Sequence, residues 1–70
     1  MEITYDSKID ALNIVLRKGR VFKTVEISPG VLLDLDKLGR PLYMEIIDAK
    51  EKIGRRQLTE FTMRNLVPVA

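Results

Sequence analysis

Apolar and polar residues alternate along much of the first part of the chain, and this period of two constrains the fold more than any other feature. Every second residue is apolar across residues 12–16 and again across residues 31–35. Such alternation is typical of strands that bury one face, because successive side chains of a strand point to opposite sides. The first part of the chain is therefore predicted to form a β-sheet, with no helix over residues 10–27.

Three glycine-containing segments, at residues 18–19, 29–30 and 37–39, are predicted turns between the strands. Glycine suits such turns because it adopts positive φ angles without a steric cost. With a two-residue loop at 18–19, the flanking strands would pair as a hairpin in which Val15 faces Phe22. The result is an antiparallel β-meander of about five strands. The inward face of the fifth strand is left undetermined, since one residue more or less in a loop reverses it.

Helix signals begin where the last strand is predicted to end. Asp48 stands at a helix N-cap position and Glu51 follows three residues later, as in a capping box. Gly54 is predicted to end or kink this first helix, and a second helical stretch follows. The predicted fold class is therefore α+β: a single domain of 70 residues, with the β-meander over 1–47 and one or two short C-terminal helices over 48–67.

The chain has no Cys and no His, so neither a disulfide nor a zinc site of the usual Cys/His kind can staple it. A domain of this size buries only about 60% of the surface that its unfolded chain exposes. Tight packing, surface ion pairs or self-association must therefore supply the stability, and a partner chain is the simplest further source. The residues predicted to be mostly buried are Leu12, Ile14, Leu16, Val25, Val31 and Leu33.

A second, mixed face of the predicted sheet indicates self-association. On the face opposite the core, Val15 and Phe22 lie among polar neighbours, and exposed apolar patches of this sort mark interfaces. Open sheet edges also invite pairing with another chain. We therefore expect a homo-oligomer, first of all a two-fold dimer, with the C-terminal helix either packed on its own sheet or exchanged with a neighbour. The candidate interface residues are Val15, Phe22, Tyr43, Leu58, Phe61 and Leu66.

No catalytic constellation is visible in the sequence. A nucleophile–base pair built on Cys or His is excluded by composition, the two serines lie in predicted turns, and no glycine-rich phosphate loop occurs. We therefore expect a non-enzymatic protein-binding module with no cofactor. The alternative is a small metal-dependent enzyme, because Asp34, Asp36 and Glu45 on adjacent strands could hold a hard cation such as Mg²⁺ or Ca²⁺.

A second alternative is a nucleic-acid-binding regulator that uses the basic tail. The whole chain carries net +2, and residues 50–70 hold five basic and two acidic side chains. A basic cluster of this size is usually a solvated surface, so nucleic acid is not the expected partner. No apolar run approaches the ~20 residues of a membrane span and no signal peptide is recognisable, so the expected location is the cytoplasm.

Several short motifs follow one another in a distinctive order. They are ITYD at 3–6, DAL at 10–12 followed by apolar alternation, GVLLDLD at 30–36, glycine at 39 and MEIIDA at 44–49. This order resembles a widespread prokaryotic family of short proteins that is classed as a domain of unknown function. The resemblance implies no established activity, cofactor or catalytic residue. It does imply an antitoxin-like or other binding role, since some members are thought to be encoded beside small toxin-like proteins.

Overall fold

The computed structural model describes residues 1–65, which form one five-stranded sheet followed by two helices. The strands are β1 (Glu2–Asp6), β2 (Ala11–Val15), β3 (Lys23–Ser28), β4 (Val31–Leu35) and β5 (Pro41–Ile47). The helices are α1 (Ala49–Ile53) and α2 (Arg55–Asn65). Neither of these two helices is long and apolar enough to cross a membrane. The predicted α+β class, the five antiparallel strands and the turns at 29–30 and 37–39 are confirmed.

The strands lie in the order β1-β2-β5-β4-β3, and every neighbouring pair is antiparallel. The predicted hairpin between β2 and β3 is wrong, because β5 and β4 lie between these strands. Val15 pairs with Tyr43 of β5 and not with Phe22, which precedes β3. The central strand is therefore β5, and β1 and β3 form the two edges of the sheet.

The connection between β2 and β3, residues 16–22, crosses the ends of the two intervening strands and is called here the crossover loop. It spans three interstrand spacings, roughly 14 Å, which an extended segment of this length reaches with room to spare. The Leu42 carbonyl of β5 accepts hydrogen bonds from Leu16 N at 2.8 Å and Arg17 N at 3.1 Å. The Leu35 carbonyl of β4 accepts one from Phe22 N at 2.8 Å. The loop is thereby attached to each strand that it passes.

Both helices pack on one face of the sheet, called here the helix face. The core on this face joins Leu12 of β2 to Ala49 of α1 and Leu58 of α2. Ile3 of β1 completes this buried cluster, and Phe61 of α2 packs against it. The C-terminal helix thus packs on its own sheet, which is one of the two arrangements expected from the sequence.

The buried residues differ from the predicted core at identifiable positions. Leu12 is buried as predicted, whereas the prediction for Leu16 is wrong: this residue lies in the crossover loop and is 41% exposed. The other predicted core residues are half-buried: Ile14, Val25, Val31 and Leu33. Buried residues outside the predicted set are Ile3, Ala11, Leu42, Ala49 and Leu58. The difference arises because the helices pack against the β1–β2 side of the sheet, so that side holds the buried cluster.

The start of α1 is held differently from the prediction. Asp48 is the N-cap residue, but it is left-handed, with φ 54°, and its side chain makes no capping hydrogen bond. The carboxylate of Asp10 takes over this role, since its Oδ1 accepts the Lys50 N–H at 3.2 Å. The main-chain carbonyl of Asp10 also accepts the Ala49 N–H at 3.0 Å. Gly54, with φ 98°, ends the helix as predicted.

Candidate functional site

The sheet face opposite the helices, called here the open face, is formed by the alternate strand residues that point away from the core. Because Leu12 lies in the helix-face core, its neighbour Asn13 points to the open face. Strand pairing places Glu45 beside Asn13 and Tyr43 beside Val15, which fixes the orientation of β5. The two described helices lie on the other side, so the described part of the chain places no second layer on this face.

An apolar centre occupies the middle of the open face. Val15, Leu32 and Tyr43 line a shared depression of about 270 Å³ on the surface of β2, β4 and β5. All three side chains are half-buried in the single chain. Val15 and Tyr43, two of the candidate interface residues, thus share a surface, although the sequence left the face of β5 undetermined and predicted Phe22 as the neighbour of Val15.

Every charged side chain on the strands of the open face is acidic. The five residues, from four of the five strands, are Glu2, Asp6, Glu26, Asp34 and Glu45. The strand positions of this face contain no Lys or Arg. Glu26 and Glu45 flank Leu32 directly, as its partners on β3 and β5. The open face is therefore an apolar centre within an acidic surround.

A second surface lies at the end of the sheet, where the crossover loop faces the β4–β5 turn (residues 36–40). Between them is a cleft of about 540 Å³, called here the basic cleft. Five of the chain's twelve basic residues and one of its ten acidic residues line it, so the cleft carries net +4 and the rest of the chain −2. Two apolar side chains of the lining are prominent, Phe22 at 65% exposed and Leu38 at 76%. The charged lining residues are Arg17, Lys18, Arg20, Asp36, Lys37 and Arg40.

The charge of Asp36 is engaged within its own turn. Its Oδ1 accepts the main-chain N–H groups of Leu38 and Arg40, each at 2.9 Å, and its Oδ2 accepts Arg40 Nε at 2.7 Å. The main-chain N–H of Arg40 is the largest of the influences that hold the pKa of Asp36 below its ordinary value, and together they outweigh partial desolvation. Asp36 therefore stays ionised and pairs with Arg40, which leaves the other four cations of the cleft to face solvent.

The crossover loop forms a fixed wall of the basic cleft. The Tyr43 hydroxyl lies 3.2 Å from both the main-chain N and the carbonyl O of Gly19, so it can accept from one and donate to the other. On the other side of the loop, a Cβ on Gly19 would lie 3.0 Å from Cδ2 of the fully buried Leu42. Tyr43 thus contributes to both surfaces. Its strand position lies on the open face, and its hydroxyl holds the crossover loop that forms one wall of the cleft.

The remaining candidate interface residues lie in separate places. Phe22 lines the basic cleft, at the far end of the crossover loop from Val15. Leu58 is buried in the core of its own chain, and Phe61 packs against that core. Leu66 lies outside the described residues. On the open face the structure therefore brings together Val15 and Tyr43 from the predicted set and adds Leu32, while Leu58 and Phe61 meet in the core.

The three carboxylates of the predicted cation site are not brought into one site. Asp34 and Glu45 line the depression on the open face, and Asp34 accepts a 2.6 Å hydrogen bond from Thr24 Oγ1. Asp36 follows the irregularity at the end of β4 and turns away to pair with Arg40. Among the described residues, no group of three or more Asp, Glu, His or Cys side chains is placed to hold a metal ion.

Sequence reasoning misses the basic cleft because its two walls lie about twenty residues apart in the chain. The signal was nevertheless present, as RKGR at 17–20 and KLGR at 37–40, two basic segments that each contain a glycine. Charge counted along the chain instead draws attention to the C-terminal segment. There Arg56 already pairs with Glu60 along α2, at 3.8 Å on an exposed helix surface.

The sequence motifs at 3–6, 10–12, 30–36 and 44–49 all lie within the match to one family profile. The profile of a family described as "Protein of unknown function (DUF2283)" matches residues 2–50. The chain belongs to the DUF2283 family. No curated protein and no solved structure matches the chain. The DUF2283 segment contains the whole sheet and the crossover loop, so the open face and the basic cleft both lie within it.

Proposed function

We propose that this DUF2283 domain is a non-enzymatic protein-binding module that self-associates through its open face. The observation that carries the proposal is the apolar centre of Val15, Leu32 and Tyr43 on a sheet face that the described helices leave uncovered. Sheets in small domains normally bury an apolar face against a second layer. Contiguous apolar surface that lacks such a layer marks an interaction site.

A second copy of the chain supplies the missing layer in the simplest way. In a two-fold dimer both subunits would use the same face in the interface. The apolar centre of each subunit would then be buried against the apolar centre of its partner or against a neighbouring part of the partner. Sheets packed face to face lie about 10 Å apart and interdigitate their side chains. The chain has no disulfide to stabilise it, and burial of this face would add stability that 70 residues otherwise lack.

Sedimentation velocity of the wild type and of one matched pair of variants tests the proposal. Leu32→Arg puts a charge into the apolar centre, and we expect it to shift the dimer toward monomer at concentrations of about 1 to 100 µM. Ile9→Arg is the control, because Ile9 is 64% exposed in the turn between β1 and β2, outside the open face. We expect Ile9→Arg to leave the dimer intact.

Circular dichroism of both variants verifies that they are folded. A wild type that sediments as a monomer over the whole concentration range contradicts the proposal. Equal loss of the dimer in Leu32→Arg and Ile9→Arg contradicts the assignment of the interface to the open face.

The acidic surround of the open face also fits a second class of occupant, a small basic protein. Small toxin-like proteins are the candidates that the resemblance implies. Co-expression with the product of the adjacent gene tests this role. An antitoxin-like function predicts a stable complex with that one protein, which Leu32→Arg weakens and Ile9→Arg does not.

A further inference from the structure

Four cationic side chains line the basic cleft in addition to the Asp36–Arg40 pair. Among the described residues, these four make no ion pair, while Asp36 is already engaged by Arg40. Like charges held close together repel one another, so such a cluster costs stability unless an anion meets it. The four side chains are Arg17, Lys18, Arg20 and Lys37.

The cleft is formed before any partner arrives. The crossover loop is attached to β5 through the Leu42 carbonyl and the Tyr43 hydroxyl, and to β4 through the Leu35 carbonyl. The opposite wall is held by the hydrogen bonds that Asp36 accepts within its turn. A preformed site loses little conformational entropy on binding, which favours a specific occupant over loose ion condensation.

The molecule itself carries a surface of matching chemistry. The open face presents five carboxylates with no basic residue at its strand positions, around an apolar centre. The basic cleft presents cations that make no ion pair within the described part of the chain, beside the exposed side chains of Phe22 and Leu38. The two surfaces thus carry opposite charges, and each also offers apolar side chains for the other to cover. Tyr43 adjoins both, so the two surfaces are neighbours on one molecule.

We propose that the basic cleft of one copy docks on the acidic open face of a second copy. This inference rests on the proposed self-association and names its contact. In a two-fold dimer each copy contributes one cleft and one face, so both contacts form together. Phe22 and Leu38 would then cover the partner's apolar centre, while the cleft cations meet the carboxylates around it.

A charge-swap experiment tests this contact directly. The cleft variant carries Arg17→Glu and Arg20→Glu, and the face variant carries Glu26→Lys and Glu45→Lys. For each variant alone, the dimer dissociation constant should rise more than about tenfold above that of the wild type, because the contact between two identical copies now joins like charges. An equimolar mixture should recover a heterodimer, because one contact is then the wild-type pair and the other is the same pair with its charges exchanged.

A control variant separates this contact from general attraction between oppositely charged proteins. Lys8→Glu with Lys50→Glu changes the net charge by the same amount at two exposed positions outside the cleft and the open face. It should dimerise as the wild type does and should not pair with the face variant. Raising NaCl from about 0.05 M to about 0.5 M should weaken the wild-type dimer, since the Debye length shrinks several-fold.

The outcomes distinguish the inference from the proposed function. A wild-type dimer that both charge variants retain overturns the cleft contact and leaves the open-face proposal standing. Loss of the dimer in both variants without recovery in the mixture also overturns it. A labelled oligo(dT) that binds the wild type but not the cleft variant, with the dimer unchanged, would assign the cleft to single-stranded nucleic acid instead. A monomeric wild type rejects both proposals.

Discussion

Tyr5 and Asp10 are joined by a 2.6 Å hydrogen bond in which the tyrosine hydroxyl donates to Oδ1 of the carboxylate. The same carboxylate accepts the main-chain N–H of Lys50, in the first turn of α1. One side chain therefore joins β1, the turn before β2 and the start of the helix. Tyr5 and Asp10 both belong to the motifs by which the sequence resembles its family, and the structure shows that they meet at one junction.

Replacement of Asp10 should destabilise the fold through this junction. Asp10→Ala removes the acceptor for Tyr5 and Lys50, and it places alanine at φ 51°, so the free energy of unfolding should fall by about 1 to 3 kcal/mol. Asp10→Asn should cost less, because asparagine tolerates the left-handed region and keeps an acceptor oxygen. Urea denaturation of both variants measures the difference.

Asp6→Ala is the matched control for this prediction. Asp6 lies on the other side of the same turn, and its carboxylate accepts one exposed hydrogen bond from the main chain, from Lys8 N at 2.9 Å. We expect a loss below about 1 kcal/mol. If Asp6→Ala lowered the free energy of unfolding as much as Asp10→Ala or more, the effect of Asp10→Ala could not be attributed to the helix junction.

The stability of the fold should depend on pH through Tyr5. The hydrogen bond to Asp10, together with desolvation and the charge of Asp10, raises the pKa of Tyr5 from 10.0 to about 12. Because the folded state favours the neutral hydroxyl, this stabilisation is fully present below pH 10 and is lost as the pH rises through 12. In Tyr5→Phe, the free energy of unfolding should therefore fall less between pH 10 and pH 12 than it does in the wild type.

Tyrosinate absorbance gives an independent reading of the same group. The chain has two tyrosines, so a Tyr43→Phe background leaves Tyr5 alone to be titrated. Its midpoint should lie near 12, and Asp10→Asn should lower it toward the ordinary tyrosine value, because a negative charge is removed from beside the hydroxyl. An ordinary midpoint in the folded Asp10-containing protein would contradict the hydrogen bond.

Leu12 of β2 and Leu16 of the crossover loop should differ widely in the stability that their truncation costs. Leu12 is 1% exposed among Ile3, Ala49 and Leu58, so Leu12→Ala should cost about 2 to 5 kcal/mol. Leu16→Ala should cost less than about 1 kcal/mol, because Leu16 is 41% exposed and the hydrogen bond from its main-chain N–H to Leu42 survives the substitution. Comparable stability losses in the two variants would show that Leu16 packs as a core residue, as alternation alone predicts.

Alternation predicts which side of a strand a residue occupies, but not which strand lies beside it. The pattern over residues 12–16 predicts that Val15 and Leu12 point to different sides of the sheet, and the structure confirms this. It could not show that β5 rather than β3 lies next to β2, because a hairpin and a crossover both satisfy the same alternation. Alternation therefore predicts Phe22 on the open face, whereas the structure places it in the cleft.

The basic cleft was beyond sequence reasoning for a related physical reason. Its charge arises where Arg17–Arg20 meets Lys37–Arg40, and this meeting depends on the path of the crossover loop over β5 and β4. The helix junction was partly predictable, since Asp48 does occupy the N-cap position. The capping carboxylate comes instead from Asp10, forty residues before Lys50, whose N–H it accepts, and local capping rules do not reach that far.

The glycine of the β4–β5 turn should be needed for its backbone angle alone. Gly39 has φ 79°, and a Cβ placed on it would meet nothing within 4 Å. Gly39→Ala should therefore cost about 1 to 2 kcal/mol, the strain of an alanine in the left-handed region. Gly39→Asn should recover part of this loss, because asparagine adopts that region more readily. Thermal unfolding of the two variants measures the recovery.

Gly19 in the crossover loop should show the opposite order, because its constraint is space. A Cβ would lie 3.0 Å from Cδ2 of Leu42, which is 1% exposed and has little room to move. Gly19→Ala should cost about 1 kcal/mol or more through overpacking, and the larger Gly19→Asn should cost more than Gly19→Ala. Both should also loosen the cleft wall, seen as faster amide exchange at Arg17 N and Phe22 N, which the loop donates to β5 and β4. If asparagine instead restores stability at position 19 as at position 39, backbone angle rather than contact with Leu42 determines the glycine there.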